Sequence, residues 1–568
     1  MLKIMIDYRA NPFFLNDEDI RWVEKTAAAM SVDKKIGQIF CPLIFDRDPD
    51  KVTAMEKQYQ FGGAVIGGSM SSREEGRQTR QALQRGAVVP LLLAEDLESG
   101  GNGACREGTC FGTPMLVSAT GDAEQAYRLG CVCAEEGLAD GVNWSFGPVV
   151  DLDRNYHNPI VNVRSFGSDE ETVIRMAREY LRAFRENGAA TACKHFPGDG
   201  IDERDQHLCT TVNTLSCEEW DRTYGKVYQS MIEAGTLSIM VAHIAQPAYE
   251  ERFDGHPADR IMPASQSRNL MQKLLRGRLG FNGLIVSDAT PMCGFCSAME
   301  RRKAVPLCVE HGIDMLLFNR NIGEDLRYMK EGLENGILSM ERLDEAVRRI
   351  LAMKAALHLQ DRIGMDGLDR RAKGLDAIGS AEHAAWAAGC ADKGITLVKD
   401  TQHLLPLDPM RHRRVLLEIL GTFPSNDRVT ARMKQDLERA GFAVTLYEKE
   451  GPEAMGMPVE ELRRSFDLVL YVCNIETEPA HTTARLQWNT VAGLLNNIPW
   501  MVHEIPTLMV SLGNPYHLLD APMIKTYVNA YCNSDTVIDA VLEKLLGRSV
   551  FQGQSPVDPF CGKMDLRF

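Results

Sequence analysis

The chain has 568 residues, with 63 Lys plus Arg against 78 Asp plus Glu and a net charge of -15. That length exceeds one ordinary core and asks for two or more domains at roughly 100 to 200 residues each. The acidic balance repels phosphate backbones and argues against nucleic acid as a partner. No apolar run approaches the roughly 18 residues that cross a bilayer, and the opening MLKIMIDYRANPFF lacks the apolar core and cleavage site of a signal peptide. A cytoplasmic protein with no membrane partner is expected. The 15 Cys are odd in number and irregularly spaced, which reads as ordinary thiols of a reducing compartment. Cys293-Gly-Phe-Cys296 has no second CxxC with which to hold zinc.

Along the N-terminal portion one unit recurs: a short apolar run, a polar loop, then a segment of helical period. The runs are Gly37 to Phe45, Gly62 to Gly68, Val89 to Asp96, Trp144 to Asp151, Ala189 to Phe196, Ser238 to Ile244, Gly283 to Ala289 and Asp314 to Arg320. Eight such units predict a (β/α)8 barrel over residues 1–358, whose chemistry sits at the C-terminal ends of its strands. Ser168-Asp-Glu-Glu171 and Ser216-Cys-Glu-Glu219 are capping-box patterns that open helices, and Asn187-Gly188 closes the first of them. Residues 359–392 are expected to be a linker, since Gly364, Gly367, Gly374 and Gly379 stand among charges with little apolar periodicity. From 393 to 568 five further runs, Val415 to Leu420, Ala443 to Tyr447, Leu468 to Cys473, Thr507 to Leu512 and Thr526 to Ala530, alternate with helical segments. They predict an αβα sandwich around a mostly parallel sheet, and no glycine-rich phosphate loop marks it as a nucleotide site.

The barrel strand ends carry Asp96 and Glu98, Asp151 and Asp153, Lys194 and His195, His243 and Asp288. One Asp at such a position is often a helix cap; several together mark a small-molecule site. The densest stretch is Lys194 to His207, KHFPGDGIDERDQH, which begins where a buried strand ends at the Pro197-Gly198 turn. Within it Asp205 and His207 have the spacing for an acid/base dyad, the carboxylate fixing the imidazole tautomer. A metal held by His195, Asp199, Asp205 and His207 fits the residue types but no recognised ligand spacing. No metal and no cofactor are expected.

This stretch resembles the signature of glycoside hydrolase family 3 in its β-N-acetylglucosaminidase branch, KH(F or I)PG(H or L)GxxxxD(S or T)H. Asp199 and Gln206 depart from the pattern. The resemblance extends over Trp22 to Pro42, Phe146-Gly-Pro-Val-Val-Asp151 with Asn158-Pro159 and Arg164-Ser-Phe-Gly167, and Phe281 to Asp288. It continues through Gly394 to Lys399 with Leu404 to Leu407 and Gly513-Asn-Pro-Tyr516. It implies that Asp288 is a nucleophile and His207, oriented by Asp205, the acid/base group. It also implies that Asp96, Arg164, Lys194 and His195 bind sugar hydroxyls; His243 is either a further ligand or a brace of the rim. The implied activity is a bacterial, retaining, exo-acting β-N-acetylhexosaminidase on terminal β-linked sugars, working as a monomer or homodimer with water as acceptor. The alternatives are a β-glucosidase, a phosphorylase using phosphate as acceptor, and a non-catalytic sugar-binding protein. The last is disfavoured because Asp288, Asp205 and His207 are all present.

Overall fold

The computed structural model describes residues 6–254, 261–421, 425–447, 457–488, 490–491 and 495–568. They form two compact units that interleave along the chain. One comprises Met1–Phe111, Ala126–Asn155 and Glu170–Ala384, and the other Gly112–Gln125, Tyr156–Asp169 and Ala385–Phe568.

The first unit is a closed barrel of eight parallel strands. They are β1 (Phe40–Cys41), β2 (Gly63–Val65), β3 (Leu92–Glu95), β4 (Trp144–Ser145), β5 (Ala190–Phe196), β6 (Ser238–Val241), β7 (Leu284–Ser287) and β8 (Leu316–Leu317). Continuous pairing runs from β2 to β7. The ring closes through β1 with β8 and through the parallel bridges Leu43 with Val65 and Val286 with Met315. All eight apolar runs of the sequence are therefore barrel strands. The strand residues of β2, β3, β5, β6 and β7 are buried throughout, as expected of parallel strands covered on both faces. Around them, the helix Glu170–Asn187 buries Val173, Met176, Ala177, Tyr180, Leu181 and Phe184 and ends at Gly188, whose φ of +72° suits glycine. The capping box at Ser216 and Glu219 forms. Met340–Ala356 buries Leu343, Val347, Ile350 and Leu351.

The stretch expected as a linker is itself structured. Leu359–Arg362 is helical, Ile363 bridges to Asp369, and Ile378 packs with Cys105 and Ala139. Through Ala384 it groups with the barrel.

The second unit holds a six-stranded sheet of β9 (Thr396–Asp400), β10 (Arg414–Leu420), β11 (Ala443–Leu446), β12 (Leu468–Cys473), β13 (Thr507–Ser511) and β14 (Thr526–Asn529), in the order β9-β14-β13-β12-β10-β11. Five of these were the predicted runs. The sixth, β9, is an antiparallel edge strand with a mixed burial pattern; edge strands carry polar residues that break an apolar run. Leu416, Val469, Met509 and Tyr527 form its core with Leu462, Met501 and Ile505. Among the described residues no helix is long and apolar enough to cross a membrane.

Candidate active site

Five adjacent strand ends of the barrel, those of β3 to β7, supply one cluster. At the end of β3, the buried carboxylate of Glu95 accepts the backbone N–H groups of Ile66 and Gly68, each at 3.0 Å, and pairs with Arg80 at 2.8 Å. This fixes the backbone from which Asp96 and Glu98 extend. Lys194, from within β5, places Nζ 2.6 Å from Asp96 and 2.7 Å from Glu98. Its side chain is only 3% exposed whereas that of Asp96 is 65% exposed, so a cation held from inside the barrel meets a carboxylate open to ligand.

The pairing of β5 with β6 changes register between Cys193 and Phe196. Such an irregularity re-aims side chains, and Lys194 and His195 lie within it. His195 Nδ1 is 2.6 Å from Asp151 Oδ2. The other oxygen of Asp151 accepts the backbone N–H of His195 at 3.1 Å and that of Asp199 at 2.8 Å. The following turn needs glycine at 198: φ is +120°, and a Cβ there would lie 2.1 Å from the Tyr224 ring.

Asp205 and His207 form the dyad that their spacing suggested. His207 Nδ1 is 2.6 Å from Asp205 Oδ1, which also accepts the His207 N–H at 2.9 Å. The Asp205 side chain is fully buried while that of His207 is partly open. This loop is bonded to the segment that follows β7: Cys293 N–H donates to the His207 carbonyl and Gly294 N–H to that of Gln206.

Asp288 stands directly after β7, its N–H donated to the Val241 carbonyl at 2.8 Å and its Oδ1 accepting from Ala289 N at 2.7 Å. Burial pushes its carboxyl upward, but His195, His243, His207 and the Ala289 N–H outweigh that and hold it below the usual carboxylate value. His243 is itself held low by burial, and its bonds suit the neutral ring. Nε2 donates to the Ala289 carbonyl at 3.0 Å and Nδ1 accepts from the Ser265 hydroxyl at 2.8 Å. With both nitrogens engaged, His243 braces the backbone beside Asp288, and His195 and His207 are the other two imidazoles that face it.

Arg164 does not belong to this cluster's unit. It closes the short 3-10 turn Asn162–Arg164 in the segment Tyr156–Asp169, which groups with the second unit. Among the described residues no group of three or more His, Cys, Asp or Glu is placed to hold a metal ion. The side chain of Gln206, one of the two departures from the family signature, accepts the His243 N–H at 2.9 Å. The sequence named Asp151 only among the polar strand ends and Gln206 only as a departure from the signature, with no role for either; both act through contacts distant in sequence.

The model of the glycosyl hydrolase family 3 N-terminal domain matches residues 31–353. The chain belongs to glycoside hydrolase family 3. It is 42% identical over 570 residues to a β-N-acetylglucosaminidase/β-glucosidase of Cellulomonas fimi, covering 99% of this chain and 100% of the relative. A solved structure of β-glucoside phosphorylase BglX bound to 2FGlc is also 42% identical, with a TM-score of 0.92 over 98% of this chain and 100% of that one. A family 3 β-N-acetylglucosaminidase from Paenibacillus sp. str. FPU-7, at 24% identity and TM-score 0.78, covers 94% of this chain and 99% of its own and shares the fold.

Proposed function

We propose that the chain cleaves terminal β-linked N-acetylglucosaminides and glucosides by double displacement, with Asp288 as nucleophile and the Asp205–His207 dyad as acid/base. The observation that carries this reading is the dyad itself, a 2.6 Å Nδ1 to carboxylate contact on a loop bonded to the segment after Asp288. The ionised Asp288 attacks the anomeric carbon and forms a glycosyl ester as the glycosidic bond breaks. His207 gives its Nε2 proton to the departing oxygen. In the second step the acceptor gives a proton to Nε2 and its oxygen displaces Asp288, so configuration is retained. A His dyad here does the work that a second carboxylate does in most retaining glycosidases. Asp96, Lys194 and His195 grip sugar hydroxyls, where charged donors and acceptors bind strongly. The sugar range is that of the Cellulomonas fimi β-N-acetylglucosaminidase/β-glucosidase. Turnover of p-nitrophenyl β-N-acetylglucosaminide, β-glucoside and β-xyloside tests it: cleavage of the first two is expected, and inactivity on all three overturns the reading.

A second reading, phosphate as acceptor, is favoured by the 42% identity to a solved β-glucoside phosphorylase. A neutral imidazole at the acceptor position does not repel phosphate as a carboxylate would at short range. The negative charge of Asp199, which weighs against phosphate, is met in part by the Gly200 N–H at 2.7 Å. Phosphorus NMR of the products with and without phosphate separates the readings: sugar 1-phosphate marks phosphorolysis, and free sugar alone marks hydrolysis.

A further inference from the structure

Asp151 lies beyond β4, fully buried, on the strand-end rim. Its carboxylate binds the ring and backbone of His195 and the backbone of Asp199. We propose that Asp151 is a positioning residue of the sugar site: it makes Nδ1 of His195 the donor and leaves Nε2 as the ring atom that meets a sugar hydroxyl. This rests on His195 touching the substrate, as the proposed function has it.

The argument is one of donors and acceptors. An ionised carboxylate only accepts, so the short contact to Asp151 Oδ2 requires the hydrogen on Nδ1. Nε2 then carries a lone pair in the neutral ring, and it has no partner among the described residues. The ring cannot turn freely, because the same carboxylate also holds the His195 and Asp199 N–H groups through Oδ1. One buried side chain therefore sets the orientation of the ring, its tautomer and the turn that carries Gly198. The arrangement parallels Asp205–His207, so Asp288 is faced by two imidazoles that are each held at Nδ1 by a buried aspartate.

Asp151→Asn separates tautomer from packing. Asn has one carbonyl oxygen, and with that oxygen on the two backbone N–H groups its NH2 confronts Nδ1. The hydrogen is then driven to Nε2, as happens when a histidine's orienting aspartate becomes an amide. The expected loss is about 10- to 100-fold in kcat/KM, the range for a charged hydrogen bond removed. Because Asp151 acts through His195, Asp151→Asn in a His195→Gln background should change kcat/KM by less than about twofold. An equal loss in both backgrounds overturns the proposal.

Where Asp151→Asn does not fold, proton NMR of the wild-type protein decides. Among the far-downfield N–H signals of carboxylate-held imidazoles, one should be removed by His195→Gln and another by His207→Gln. A spectrum unchanged by His195→Gln overturns the pairing. A wild-type protein that turns over no β-glycoside removes the functional reading, whereas the NMR result still judges the Asp151–His195 bond.

Discussion

The backbone N–H of Cys293 donates to the carbonyl of His207 across 3.0 Å. This ties the loop after β5, which bears the Asp205–His207 pair, to the segment after β7, which bears Asp288. The bond belongs to the main chain, so the thiol is dispensable to it. Cys293→Ser is expected to keep activity within about twofold, as for a substitution away from any special feature. Cys293 opens the short helix Cys293–Cys296, and Met292 before it is extended at φ -59° and ψ 144°. Proline fits that position and removes only the donor. Cys293→Pro should slow poor leaving groups by about tenfold, the scale of one lost hydrogen bond, with a thermal midpoint close to wild type. Matched rates for the two variants would show that the dyad loop does not depend on this bond.

Asp288→Asn should lower turnover of every β-glycoside by at least about a thousandfold, since the group that forms the covalent intermediate is gone. A slow 2-fluoro sugar should label the wild-type protein at Asp288. Peptide mapping checks this, and a label on any other residue removes Asp288 from the role.

His207→Ala should slow glycosides with poor leaving groups by about 100- to 10,000-fold, the usual reach of general acid catalysis. Activated aryl glycosides depart with little protonation and should lose far less. Asp205→Ala should show the same dependence on leaving group in weaker form. Steady-state rates over a series of leaving-group pKa values measure both; a flat series for His207→Ala means that it shapes the loop without moving a proton.

How far the sequence reveals this site depends on the separation of the partners. Asp205 and His207 are two residues apart, so local spacing predicts their contact. The eight barrel runs are legible because a parallel strand buried on both faces is written as an unbroken apolar run. Asp151 and His195 are 44 residues apart, and only the closed barrel brings β4 beside β5. The edge strand β9 was hidden by Lys399 and Asp400 within it. Arg164 sits in a segment that sequence order assigns to the barrel and tertiary contacts assign to the second unit. His243 could be read only as ligand or brace until both its nitrogens were seen to be engaged.

His383 offers a test on stability. Burial pushes its imidazole down, but hydrogen bonds to Glu135 and Glu136 prevail and raise it from 6.5 to about 9. A folded-state value above the unfolded one means stability that is complete below about pH 6.5 and lost as pH rises through about 9. Glu136 also accepts from Thr109 N at 2.8 Å and Thr109 Oγ1 at 2.6 Å, so the histidine secures the loop that follows Asp96. The thermal midpoint should fall across this window by roughly 2 °C or more, and His383→Gln should flatten that fall. An unchanged slope in the variant assigns the pH dependence to other groups.

Asp288 should leave its own mark at acid pH. Its folded value lies below the ordinary 3.8, so the ionised nucleophile is fully present above that pH and is lost only as pH falls through the lower value. Turnover also requires a proton on His207, whereas labelling by a fluorinated sugar with an activated leaving group depends mainly on the nucleophile. The rate of labelling, followed over short exposures by intact mass, should therefore hold steady down to about pH 4 and decline only below it. The titratable groups that face Asp288 are His195, His207 and His243, and His243 is held toward neutrality by burial. His195→Gln should consequently move the acid limb to higher pH, while His243→Gln should move it less and lower the rate at all pH values by loosening Ala289. An acid limb that shifts equally in both variants would mean that distance from Asp288, not charge, sets its ionisation.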